Sequence, residues 1–138
     1  MANPPGIATI LEDLSLFQGQ DRVDALISIA DGYTAAVERA KSLSEEHKVP
    51  GCESDAYLWV SGSQDAANVE FFVGNPQGIS AMALASVLST GLNGRPVSEY
   101  LAVEDEVVFD LFGRNLSMGK SLGLINTVKL MKFFAAKL

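Results

Sequence analysis

The chain is short of several things at once. It has one cysteine, one histidine and one tryptophan among 138 residues. A single cysteine excludes an internal disulfide framework and fits a reducing compartment. One Cys with one His cannot supply the usual ligand set of zinc or of an iron–sulfur cluster. Basic residues are also scarce, 10 Lys and Arg against 17 Asp and Glu, for a net charge of −7. Nucleic-acid binding relies on Lys and Arg to neutralise phosphates, so that function is not expected, and neither is an anionic membrane surface. No apolar run approaches the roughly 20 residues that span a bilayer. Residues 1–6 carry no charge and the first basic residue is Arg22. That is neither a secretory signal nor an Arg-rich transit peptide. The expected location is cytoplasmic, or an organelle such as a plastid if a transit peptide has been removed.

What is present is ordinary for a globular chain: 48% apolar and 20% charged residues. The length suits one domain, residues 1–138, with a sizeable core. Ile7 to Leu16 reads as a short helical lead-in. Asp21 is placed to cap a second helix, with Val23, Leu26, Ile27, Ala30, Tyr33, Val37 and Ala40 at helical spacing. Ser42 to Gly51 is polar and turn-like. Tyr57 to Val60 and Val69 to Val73 are aromatic and β-branched, which predicts an antiparallel hairpin turning over residues 61–65. Ile79 to Leu88 is apolar and helical, with Gly91 and Gly94 as its stops. Pro96 opens a short helix over 97–103, and Val107 to Phe112 is a short apolar segment. Leu124, Val128, Met131 and Ala135 mark a last helix, capped by Ser117 or Ser121. The fold class is α+β, a small antiparallel sheet with helices packed on one face.

Cys52 is the candidate for chemistry. Pro50 and Gly51 put it at the end of a loop ahead of the first strand. A buried, inert cysteine is the plain alternative, since free cysteine is among the most buried residue types. Glu53 and Asp55 set negative charge beside it, with His47 and Lys48 nearby as the offset. A Cys–His nucleophile pair would have to use His47, which lies in a charged stretch and reads as solvated surface. Gly119-Lys120-Ser121 looks like the end of a phosphate loop. The earlier glycine of that motif falls on Arg114 and no strand feeds it, so it reads as a helix start. The acidic runs at 12–13, 45–46 and 104–106 read as solvated surface.

Two segments resemble one family. Gly51-Cys52-Glu53-Ser54-Asp55, followed by Ala56-Tyr57-Leu58, is similar to the Gly-Cys-Gln-Ser-Gln signature of the SufE family. Leu116-Ser117-Met118-Gly119-Lys120-Ser121-Leu122-Gly123-Leu124 is similar to that family's Leu-(Ser/Thr)-Pro-Ser-Arg-x-x-Gly-Leu segment, which opens its last helix. Both glutamines are acids here, the family's Trp is Tyr57, and the Arg is Lys120, which keeps the charge and loses the planar fork. The resemblance is to a divergent member. It implies a SufE/IscU-like fold and a sulfur acceptor in iron–sulfur cluster assembly, not an enzyme with its own small-molecule substrate. Cys52 is then the persulfide acceptor, Lys120 stands at the Arg position, and Gly51, Ser54 and Tyr57 support the loop. The resemblance also implies an apolar shield for the thiol, for which Tyr57, Leu58 or Trp59 are candidates. The implied partners are a SufS-like cysteine desulfurase, which carries the pyridoxal phosphate, and iron–sulfur scaffold proteins. This chain itself is expected to bind no cofactor and no metal, and a homodimer is left open. Two other readings stand beside this one: an independent thiol enzyme, such as a peroxidase or thiotransferase, and a desulfurase-binding regulator that accepts no sulfur.

Overall fold

The computed structural model describes residues 3–138, so Met1 and Ala2 of the uncharged opening segment lie outside the described residues. Six helices and two strands follow in the order α1 (Pro5–Leu14), α2 (Gly19–Asp31), β1 (Ala56–Gly62), β2 (Ala67–Val73), α3 (Ser80–Leu92), α4 (Val97–Leu101), α5 (Val107–Phe112) and α6 (Met118–Ala135). Short 3-10 turns at Arg39–Ser42 and Glu45–His47 precede β1. The fold is α+β, as the sequence pattern predicts.

β1 and β2 pair antiparallel, with Ala56 opposite Val73, Leu58 opposite Phe71 and Val60 opposite Val69. Strand residues alternate between faces, so these side chains share one face. That face enters the core, where Leu58 is fully buried and Val69 and Phe71 nearly so. α3 packs along β2 and α6 along β1. Leu84, Leu88 and Leu92 of α3 and Val128 and Met131 of α6 complete the core, each buried aliphatic contributing ~1.5–3 kcal/mol. The hairpin is tighter than the sequence suggests: pairing runs to Gly62 and Ala67 and leaves residues 63–66 as the turn.

Three expectations need correction. The helical periodicity running to Ala40 stops at Asp31, with Gly32 as the C-cap. Beyond it the chain is drawn to the sheet edge, where the Tyr33 hydroxyl accepts from the Val73 N–H (2.8 Å) and the Ala36 N–H donates to the Phe71 carbonyl (2.8 Å). Asp21 is not a cap. It lies in the first turn of α2, and Gln18 takes the cap position without a side-chain bond. Gly91 does not end α3 but lies inside it, where α1 crosses. A Cβ there would stand 2.7 Å from Ile7 Cγ1, and one on Gly6 would stand 2.3 Å from the Gly91 carbonyl oxygen. This glycine serves helix approach, not helix termination.

Candidate functional site: the Cys52 loop on helix α6

The segment from Lys48 to Tyr57 is a narrow loop closed at its base. Lys48 and Tyr57 form an isolated antiparallel bridge, and the Val49 N–H donates to the Ala56 carbonyl at 2.8 Å. The Lys48 ammonium lies 3.7 Å from an Asp55 carboxylate oxygen across the same base. Two left-handed residues set the reversal: Gly51 with φ +70°, and Asp55 with φ +49°, the one non-glycine residue with positive φ among those described. Asp tolerates that region better than most side chains, because its short polar group bonds locally.

The half of the loop after Cys52 is tied to the chain that leaves β2. Ser54 is buried, and its Oγ accepts from the Gln77 N–H at 3.0 Å. The Ser54 carbonyl accepts from Asn75 N–H (3.0 Å) and the Asp55 carbonyl from Gly74 N–H (3.1 Å). The half before Cys52 rests on α6. Asn126 Nδ2 donates to the Pro50 carbonyl at 2.8 Å. Leu122 and Asn126 approach the place a Gly51 Cβ would occupy, at 3.3 and 3.5 Å.

Cys52 itself is half-buried against Gly123. It lines a small cavity of about 30 Å³ with Ser54, Gln77, Ser80, Ala81, Gly119, Lys120, Gly123 and Leu124, room for one water-sized group. Lys120 lies in the first turn of α6, its Nζ 3.8 Å from where a Cβ on Gly78 would stand. No ion pair among the described residues engages it. Ser117 caps α6, its hydroxyl accepting from the Lys120 N–H at 3.2 Å. Gly119-Lys120-Ser121 is thus a capped helix start. Glu53 leans onto the same turn: its Oε1 is 3.0 Å from the Cβ position of Gly119, where helix N–H groups have no intrahelical partner and favour negative charge.

Of the residues singled out in the sequence, Cys52, Glu53, Ser54 and Lys120 meet around the cavity, and Gly51 turns the chain into it. Tyr57 does not reach it. Tyr57 lies on β1 opposite Phe72, on the face away from the core, and stacks on Trp59 with ring centroids 6.4 Å apart. The expected shield of Tyr57, Leu58 or Trp59 is therefore corrected. Leu58 is committed to the core, and Trp59 stacks on His47 at 5.5 Å. The apolar cover of Cys52 comes from Ala81 of α3 and from Gly123 and Leu124 of α6. His47 is sandwiched between Trp59 and Phe134 (5.1 Å), with Ser44 Oγ 3.1 Å from its Nδ1, rather than solvated as its neighbours suggest. It takes no place around Cys52. Sequence reasoning missed Gly123 and Asn126. The first stands in the segment that carries the resemblance, and its spacing from Ser117 was the available signal.

The SufE family profile, described as Fe-S metabolism associated domain, matches residues 8–135. An uncharacterized SufE-like protein of Mycobacterium tuberculosis is 27% identical over 108 residues, covering 78% of this chain and 75% of that protein. SufE-like protein 1, chloroplastic/mitochondrial, of Arabidopsis thaliana is 32% identical over 90 residues, covering 64% of this chain but 24% of the longer plant protein. The solution structure of a hypothetical protein from Thermus thermophilus superposes with a TM-score of 0.78 over 99% of this chain and 97% of that one, at 18% identity, and so shares the fold. With a match that takes in both the Cys52 loop and α6, the chain belongs to the SufE family and its role lies in Fe–S metabolism.

Proposed function

We propose that this protein is a sulfur acceptor: it takes persulfide sulfur from a cysteine desulfurase onto Cys52, stimulates that enzyme by clearing its cysteine, and passes the sulfur to iron–sulfur cluster assembly. The observation that carries the reading is the placement of the chain's one thiol. Cys52 stands at the tip of a closed loop, against a cavity sized for one small group, with the Lys120 cation on its wall. A lone thiol can hold an outer sulfur, because no second cysteine is present to expel it as sulfide.

The transfer is a thiol–persulfide exchange. The Cys52 thiolate attacks the outer sulfur of the partner's persulfide. A new S–S bond forms to Cys52 Sγ, the partner's S–S bond breaks, and its cysteine leaves as a thiolate. The outer sulfur keeps any proton it carries, and because one S–S bond forms as another breaks, no external oxidant or reductant is consumed. The partner's pyridoxal phosphate supplies the chemistry that makes the persulfide. Here the protein holds Cys52 in register, keeps bulk water from much of it and offers a cation to the anionic sulfur.

The reading of an independent thiol enzyme has less support, since His47 is stacked between two rings and does not serve Cys52 as a base. Intact mass after incubation with a cysteine desulfurase, pyridoxal phosphate and cysteine, without reductant, tests the proposal. Wild type should gain one sulfur, about 32 Da, and Cys52→Ser should not. A Cys52→Ser protein that still stimulates the desulfurase would instead establish the regulator reading.

A further inference from the structure

The two halves of the Cys52 loop are held unequally. After the cysteine, three hydrogen bonds tie Ser54 and Asp55 to residues 74–77, and Ser54 is buried. Before it, beyond the Val49 N–H bond to the Ala56 carbonyl that closes the base, one side-chain hydrogen bond, Asn126 Nδ2 to the Pro50 carbonyl, joins the loop to α6, beside the packing of Leu122 on Gly51 and of Gly123 on Cys52. That bond is exposed, and the Leu122 side chain is 50% exposed. Glu53 approaches α6 at Gly119, and the residue is exposed. A segment so held separates first where it is weakest. The left-handed Gly51 stands at the start of the moving part, and residues 54–55, with Asp55 also left-handed, stay as its anchor.

We infer that Asn126 is the catch of the Cys52 loop, a positioning residue whose bond to Pro50 sets how often the thiol leaves its cavity on α6. The inference deepens the sulfur-acceptor reading and rests on it for its purpose, because a half-buried thiol must come forward to meet another protein's persulfide. The catch suits that task. It is specific enough to return the loop to one seat, and a solvent-exposed hydrogen bond is weak enough to release on docking. Loss of the bond costs the closed loop and leaves the open one untouched, so the change appears in the opening equilibrium.

The test is the rate of iodoacetamide alkylation at Cys52 of the full chain, in buffer and in sub-denaturing urea. Asn126→Ala should raise the rate about fivefold, as expected for one exposed hydrogen bond. Asn126→Asp, the same shape with an acceptor turned toward the Pro50 oxygen, should raise it further. Both rates should stay flat in low urea, as local opening does. Gln64→Ala serves as the control, since Gln64 Nε2 makes an equally exposed bond to the Leu138 carbonyl (3.2 Å) far from the loop; its rate should match wild type. Unchanged rates in both Asn126 variants overturn the catch, and so does an equal rise in Gln64→Ala. Sulfur loading of wild type by a desulfurase is read separately: its absence ends the acceptor reading, while the alkylation result still decides the catch.

Discussion

Gly123 and Cys52 lie in backbone contact: a Cβ on Gly123 would stand 2.9 Å from Cys52 Cα, 3.0 Å from the Gly51 carbonyl oxygen and 3.3 Å from Cys52 Cβ. Two of these neighbours are main-chain atoms, so no side-chain rotation relieves the clash. A mid-helix glycine in α6 therefore marks where the loop lands, and the seat of the thiol is a missing methyl group.

Gly123→Ala separates this role from helix propensity. In a free helix the change is favourable by about 1 kcal/mol. Here the added methyl must displace the loop, at a cost of ~1–3 kcal/mol. Urea unfolding should show a net loss of stability, and Cys52 alkylation should quicken well beyond the Asn126→Ala rate. A stabilised protein with an unaltered alkylation rate would mean that the loop does not rest there.

Ser54→Ala addresses the anchored side. The buried Ser54 accepts from the N–H of the exposed Gln77 in a part-buried bond, and removing the hydroxyl takes that bond away. A loss of ~0.5–1.5 kcal/mol is expected in urea unfolding. Loop opening should change less than global stability, because Asn75 and Gly74 still hold the Ser54 and Asp55 carbonyls. Ser54→Thr, which keeps the hydroxyl, should restore most of the loss.

Much of this arrangement is legible in the sequence, and the failures have physical causes. The hairpin, α3 and α6 follow from β-branched alternation and apolar spacing, and Ser117 was a readable cap. The length of α2 was not, because Tyr33, Val37 and Ala40 continue the helical period while the chain in fact joins the edge of β2; the competing hydrogen bonds are long-range. Gly91 read as a helix stop because spacing does not reveal that Gly6 of α1 crosses there. At the site, the loop residues and Lys120 were visible as local motifs. Nearness in sequence favours Tyr57, Leu58 or Trp59 as the cover, whereas Ala81 and Leu124 come from helices 29 and 72 positions away in the chain.

The alkaline limit of stability should involve Tyr100. Its side chain is fully buried, its hydroxyl donates to the Ala67 carbonyl at 2.6 Å, and burial pushes its pKa up to about 12. The folded state thus favours the neutral phenol. That contribution is whole below the unfolded value near 10, and is lost as pH rises from there through about 12. The stake is on the order of 2 kcal/mol. Burial also raises Tyr33, against a lowering by its Val73 hydrogen bond, so it adds in the same direction. Tyr100→Phe should be less stable than wild type at pH 8 through the lost hydrogen bond, and the gap should narrow or reverse between pH 10 and 12 in urea unfolding. A constant gap across that range would assign the alkaline loss elsewhere.

Lys120 offers the sharpest division between charge and shape at the cavity. Its ammonium lines the space beside Cys52 and is engaged by no ion pair among the described residues, so it is free to meet the anionic sulfur of a persulfide or a group on the partner. Glu53, one residue from the thiol, lies over the neighbouring Gly119. Without the cation, the loop keeps its acid and loses the compensating charge. Lys120→Met retains most of the stem volume and should fold as wild type, since the bond that ties this residue to the helix cap runs from its backbone N–H to Ser117 and not from its side chain. Sulfur loading at Cys52 should then fall about tenfold in rate, the equivalent of ~1.4 kcal/mol. Lys120→Arg should load at or above the wild-type rate, because the guanidinium keeps the charge and adds a planar fork of donors. Rapid-quench mass spectrometry of the persulfidated protein reads both variants. Equal rates in wild type, Lys120→Met and Lys120→Arg would remove Lys120 from the transfer and leave the apolar seat on Gly123 as what this site contributes.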